Sequence, residues 1–273
     1  MASRYWIFLA FLLFSPVGAQ AQTLVLGVYP FLSASQMMDL QRPLKDLLSR
    51  NLQRPVEMVS APDFPSFVDR TKQGDYDVIL TAPHMGRLAQ QRDGWIPLVQ
   101  SGYQMEIILA VPAKSNLYHL AQMRGLRIAV GAVDSLIFQV ISEELARHEI
   151  HVDHDMTILE TRSFSNVVLA LERGEADVIA TSRRLLEFNT AEQRASLREI
   201  FVSVPMPGFL VMAHPRLAEA ERDRLRSALL SYKNTPEGVD YFTRNRLIDF
   251  RLVDPKSMAR VEPYSLRLSH PKP

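Results

Sequence analysis

Residues 74–83 read Gly74-Asp75-Tyr76-Asp77-Val78-Ile79-Leu80-Thr81-Ala82-Pro83. A glycine after a helix-periodic stretch closes that helix, because it alone enters the left-handed region freely. Val78-Ile79-Leu80 is short, apolar and partly β-branched, which predicts a strand buried on both faces. Pro83 opens the next helix, where a missing N–H goes unused. Helix, buried strand and helix in direct succession form the repeating unit of a sheet covered on both sides.

The same alternation extends outward. Residues 24–29 form an apolar run ended by Pro30, which predicts a strand. Beyond Ser35, the positions Met38, Leu44, Leu47 and Leu48 have helical spacing as far as Asn51. Residues 56–59 predict a second strand, and Asp63 is placed to cap a helix carrying Phe64, Phe67 and Val68. An apolar stretch at 107–111 precedes a second series: strands at 127–130, 156–160 and 177–180, with helices over 135–147 and 165–173. A strand at 209–213 and a helix over 217–232 follow. Two βα series separated by extended crossings predict two lobes, with the C-terminal elements returning to the first. The expected division is 22–103 and 206–273 for lobe I, discontinuous in sequence, and 104–205 for lobe II.

At the N-terminus, Arg4, an apolar run over 5–14, Pro16 and Ala19-Gln20-Ala21 read as a signal peptide cleaved after Ala21 or Ala19. The apolar run is shorter than the ~20 residues that span a bilayer, so export to a periplasm is expected rather than anchoring. The chain has no cysteine. Thiol nucleophiles, thiolate metal sites and disulfide frameworks are therefore excluded, and the core alone must hold about 250 residues together. Lys and Arg total 31 against 30 Asp and Glu, and the two balance once Arg4 is removed. That balance gives no reason to expect nucleic acid or an anionic membrane as partner.

Ligands of open α/β sheets bind beyond the carboxyl ends of the strands. Here those ends are 29–33, 81–84, 131–135, 161–165 and 181–182, and hydroxyl residues recur at most of them. One such hydroxyl is an ordinary helix cap; the shared placement is what points to a site.

Taken in order, several stretches resemble the phosphate, phosphite and phosphonate class of ABC-transporter solute-binding proteins. They are Leu26-Gly27-Val28-Tyr29-Pro30, Arg42-Pro43-Leu44, Ala61-Pro62-Asp63-Phe64 with Phe67-Val68, Gly74-Asp75-Tyr76-Asp77 and Thr81-Ala82-Pro83. In the second series they are Leu120 with Arg124-Gly125-Leu126-Arg127-Ile128-Ala129, then Gly174-Glu175-Ala176-Asp177. The resemblance implies a type II periplasmic-binding-protein fold of class α/β. In it each lobe is a mainly parallel sheet flanked by helices, and a two-strand hinge joins the lobes. It further implies a small ligand in the cleft and an ABC permease as partner. A membrane sensor kinase or other receptor is the alternative partner, and a monomer without cofactor is expected.

The departures from the family pattern share a direction. Where members resemble D-S-T-S-G, this chain has Asp134-Ser135-Leu136-Ile137-Phe138. Where they resemble S-H-D, it has Ser163-Phe164-Ser165. An expected Asp aligns with Ser182, and an expected aromatic falls near Gly86. Donors are replaced by apolar side chains, so a simple phosphonate is not the expected ligand. The expected ligand-binding residues are Tyr29, Thr81, His84, Ser135, Leu136, Phe138, Ser163, Phe164 and Ser182.

Other clusters read as structural. His148, His151 and His154 with their acidic neighbours read as a solvated helix end rather than a metal site. Arg183-Arg184 reads as a surface pair at a helix start, and Met37-Met38 as packing. No G-x-S-x-G, H-E-x-x-H, P-loop or G-x-G-x-x-G occurs, so no enzyme is expected.

Overall fold

Strand β1 (Leu24–Val28) lies between β2 (Val56–Ser60) and β3 (Val78–Thr81), parallel to both. These strands belong to a computed structural model that describes residues 22–161 and 163–269. The expected signal peptide, residues 1–21, lies outside the described residues. Helix α1 (Ala34–Leu52) joins β1 to β2, and α2 (Phe64–Gln73) joins β2 to β3. Asp63 caps α2 by accepting from the Ser66 N–H at 2.8 Å, and Gly74 closes it at φ 77°. In α1 the inward residues include Met37, Gln41, Leu44 and Leu48. That series keeps step with the 3.6-residue period, so Met37 packs inward and the expected Met38 stays exposed.

Helix α3 (Pro83–Asp93) and strand β4 (Ile96–Ser101) follow. The chain then crosses through β5 (Gln104–Met105) into β6 (Ile107–Pro112) and β7 (Arg127–Val130). Next come α4 (Leu136–Arg147), the single turn α5 (Val152–Asp155), β8 (Thr157–Glu160), α6 (Val167–Glu172) and β9 (Val178–Ser182). Short helices α7 (Arg183–Leu186) and α8 (Ala191–Ala195) lead to β10 (Leu197–Val202). The return crossing β11 (Met206–Pro207) pairs antiparallel with β5 and delivers the chain to β12 (Leu210–Ala213). Helices α9 (Glu219–Ser231) and α10 (Pro236–Arg244), strand β13 (Phe250–Arg251), then α11 (Pro255–Ala259) and α12 (Glu262–Ser269) complete the chain.

Two sheets result, ordered β13-β4-β12-β3-β1-β2 and β10-β6-β9-β7-β8. The expectation of mainly parallel sheets narrows here to mixed ones. Parallel pairing is confined to β2-β1-β3 and β8-β7-β9, and the other pairs are antiparallel. The cause is the hinge. Each crossing strand delivers the chain at the carboxyl ends of the other lobe's parallel strands. The next strand, β6 or β12, must therefore run back against them.

The two G-x-x-D stretches have one structural job. Asp77 accepts from the Val25 N–H at 2.7 Å, and Asp177 from the Arg127 N–H at 2.9 Å, tying strands together at the end remote from the cleft. Arg216 bridges Asp77 at 2.7 Å to the Gly74 carbonyl, and Arg127 bridges Asp177 to the Gly174 carbonyl. Among the described residues no helix is long and apolar enough to cross a membrane. Among them, too, no group of three His, Asp or Glu side chains is set to hold a metal, the 148–155 stretch included.

Candidate ligand site between the lobes

The carboxyl ends of β1, β3, β7, β8 and β9 converge on one cavity of about 50 Å³. Tyr29 and Phe31 come from the end of β1, and His84 from the start of α3. Leu136 and Ile137 come from the first turn of α4, Phe164 from the turn after β8, Ser182 from the end of β9 and Arg184 from α7. Tyr103, Met105 and the stretch Pro207-Gly208-Phe209 close the hinge side. Tyr29 stacks on Phe31 with centroids 4.7 Å apart and tilts against Phe64 at 6.0 Å. Burial pushes its hydroxyl up to about 12, although the Arg184 charge pulls the other way.

The expected hydroxyls serve the backbone. Ser135 Oγ donates to the Ala132 carbonyl at 2.6 Å and accepts from the Phe138 N–H at 3.2 Å. Ser182 Oγ accepts from the Leu185 N–H at 3.3 Å, and Ser163 Oγ from the Ser165 N–H at 3.2 Å. Of the nine expected residues, Tyr29, His84, Ser135, Leu136, Phe164 and Ser182 line the cavity; Thr81, Phe138 and Ser163 do not. Thr81 is wholly buried in β3, and Phe138 packs in the core, since its place on α4 turns it away from Leu136 and Ile137. Three apolar departures, Leu136, Ile137 and Phe164, thus share one wall. Phe164 lies against Gly131, where an added Cβ would meet its ring at 2.6 Å. Near the position of the missing aromatic, a Cβ on Gly86 would stand 2.7 Å from Leu210 Cδ1, because α3 is pressed onto β12.

His84 is fully buried and bridges the lobes, its Nε2 lying 3.1 Å from the Asp134 carbonyl oxygen. A carbonyl only accepts, so Nε2 carries the proton and Nδ1 is a bare acceptor. Nδ1 has no partner among the described residues. Burial pulls the imidazole down to about 4, so it is neutral near pH 7.

Arg184 was expected at the surface and is buried. The two neighbours part company: Arg183 pairs outside with Glu199 at 2.7 Å and Glu106 at 2.9 Å, while Arg184 turns inward and is 5% exposed. Its guanidinium lies 5.4–5.9 Å from the rings of Phe209, Phe188, Tyr103 and Phe31. Nε donates to the Asn245 carbonyl at 3.0 Å; Nη2 has no partner, and Arg184 forms no ion pair among the described residues. Desolvation lowers its basicity. The sequence signal that marks Arg184 is its place two residues beyond Ser182, at a strand's carboxyl end. Outside the cavity, Asp63, Asp134 and Glu160 line an acidic groove. The Asp134 carboxyl is raised there by burial, then by Glu160 and Asp63.

Two α/β lobes joined by paired crossing strands, with strand carboxyl ends facing one cavity, define a two-lobed periplasmic binding protein of the type II class. The profile of the family described as ABC transporter, phosphonate, periplasmic substrate-binding protein matches residues 26–258. The chain belongs to that family, whose members bind substrates for transporters and are not enzymes. The fold resembles PhnD1 of Prochlorococcus marinus, solved with methylphosphonate, with TM-score 0.81 and 15% identity over 90% of this chain and 98% of that one. A binding-protein component of a phosphonate ABC transporter from Pseudomonas aeruginosa gives TM-score 0.80 and 17% identity, over 92% and 88% of the chains. A Xanthomonas citri protein solved with ATP gives 0.74 and 21%, over 92% and 99%. At such identities the likeness concerns the fold. No curated protein matches the chain.

Proposed function

We propose that this chain captures a small solute other than a simple phosphonate in the periplasm and delivers it to an ABC importer by closing its lobes. On this reading the mature protein begins after Ala21 or Ala19. It acts as a monomer without cofactor or catalysis, with lobe I formed by 22–103 and 206–273 and lobe II by 104–205. The observation that carries the reading is the cavity wall. Leu136, Ile137 and Phe164 stand where an oxyanion would need donors, and the Ser135 O–H is already donated to the Ala132 carbonyl. An anion held with unmet oxygens in such a cavity carries a desolvation penalty of several kcal/mol. The six expected residues that line the cavity form the contact set, with Thr81, Phe138 and Ser163 supporting it from outside. Ligand bridging both lobes stabilises the closed population, the form a permease would recognise.

Thermal melts with methylphosphonate, phosphite and phosphate test this. A ligand at ~100 times its Kd adds about 2.7 kcal/mol of stability, and none of the three is expected to do so. A clear methylphosphonate shift in the unaltered protein would sink the reading. Conversely, the combined Leu136→Thr, Ile137→Ser and Phe164→His variant is expected to gain one.

A further inference from the structure

Among the described residues six buried side-chain atoms lack a hydrogen-bond partner, and two of them belong to residues lining the cavity at the strand ends: Arg184 Nη2 and His84 Nδ1. One is an obligate donor and the other, in the tautomer fixed by the Asp134 carbonyl, an obligate acceptor. Orphaned groups of this kind oppose folding unless something else meets them. The aromatic rings around Arg184 offset part of the desolvation of its charge, but none of them accepts a hydrogen bond in the guanidinium plane.

We propose that the cavity takes a small monocarboxylate that also bears a hydroxyl on a short apolar body: Arg184 receives the carboxylate and His84 Nδ1 accepts from the hydroxyl. This rests on the solute-binding reading above and names the substrate class of the same site.

The charge count selects the class. One buried cation balances one negative charge, whereas a phosphonate dianion would bring a second into a cavity with no further cation. Its third oxygen would also find the Ser135 O–H already donated to the Ala132 carbonyl. Arginine's planar fork can take both oxygens of a carboxylate at once, whereas a tetrahedral group held the same way keeps a third oxygen to be met. The adjoining groove of Asp63, Asp134 and Glu160 repels a dianion twice as strongly as a monoanion. An ammonium in place of the hydroxyl would set a second cation beside Arg184, and a neutral donor avoids this. Phe31, Phe64, Leu136 and Phe164 supply the apolar surround.

Calorimetry and thermal melts on the purified protein would use lactate, 3-hydroxybutyrate, butyrate, methanesulfonate and methylphosphonate as probes. The hydroxycarboxylates are expected to bind, butyrate about fivefold more weakly than 3-hydroxybutyrate for want of one hydrogen bond, and the last two not at all. Arg184→Met is expected to weaken 3-hydroxybutyrate by about 100-fold while leaving the unliganded melting temperature unchanged or higher. A merely structural arginine would lower that temperature on substitution. Arg184→Lys retains the charge without the fork and is expected to fall between. Binding by no carboxylate, undiminished binding in Arg184→Met, or tighter binding of methylphosphonate than of 3-hydroxybutyrate would each overturn the proposal. Failure of solute binding itself would look different: no compound of any class would shift the melt, and native mass spectrometry would find no small molecule carried through purification.

Discussion

His84 holds the lobes together through a hydrogen bond that only its Nε2–H form makes, inside a site that disfavours a charged imidazole. Its value falls from the ordinary 6.5 to about 4 on folding. Between those values the unfolded chain binds a proton that the folded chain refuses, so stability rises with pH across the window. The contribution is complete above about pH 6.5 and is lost as pH falls through 4, in all of order 3 kcal/mol. Asp134, raised by burial, works in the opposite sense in acid, so the comparison must isolate the imidazole. Urea midpoints measured from pH 7 to 4 are expected to fall more steeply for the unaltered protein than for His84→Gln. Parallel curves would remove the imidazole from the account. His84 and Phe164 were legible in the sequence because the strand-end rule places residues without knowing their neighbours. Arg184 was not, because adjacent arginines look alike until the bend between β9 and α7 sends one out to Glu199 and the other in to Phe209.

At the level of elements, two of the motifs that carry the family resemblance, the stretches 74–77 and 174–177, are fastenings. Gly74 and Gly174 end helices at positive φ, and the aspartates three residues on grip β1 in one lobe and β7 in the other. They sit at the end of the sheet remote from the cavity, which explains why they report the fold and not the ligand. The two fastenings are not equally protected: the Asp77 side chain is 14% exposed and the Asp177 side chain 36%. Asp77→Ala strands a part-buried N–H and removes the partner of the half-exposed Arg216, and is expected to lower stability by about 2 kcal/mol. Asp177→Ala, on a solvent-screened pair, is expected to cost about 1 kcal/mol. Chemical denaturation of both variants checks the order, and equal losses would contradict it. The parallel strands and the helices between them, with β6, β12 and α9, were legible from apolar runs, caps and glycine stops, whereas α8 and the helices after α9 were not. Strands β4, β10 and β13 were not either: β4 carries Pro97 and ends in Gln100-Ser101, β10 is half-buried and β13 has two residues, and Gln41 hides in the α1 stripe as a buried polar residue satisfied by Asn245 at 2.7 Å.

Across the whole molecule one apolar cluster runs through both lobes, and the polar contacts between them are few and separate. Ser165 Oγ donates to Gln36 at 2.9 Å, Arg267 pairs with Glu143 at 3.1 Å, and the His84 and Arg184 bonds lie between. Such a seam can open and close without disturbing either sheet, as hinge motion requires. The two-lobe plan was readable from the break in alternation. The insertion of β12 between β3 and β4 was not, because order within a sheet leaves no periodic trace.

That insertion has a kinetic side. Every strand of the β10-β6-β9-β7-β8 sheet lies within one continuous stretch, whereas β4 has no neighbour until β12 emerges from the far end of the chain. The later lobe in sequence is thus the earlier one able to form, and β3 must meanwhile wait with an open edge, a hazard for association between nascent chains. Pulse-labelled hydrogen exchange during refolding is expected to protect amides of β7 and β9 before those of β4. Simultaneous protection would mean that the sheets assemble as one cooperative unit.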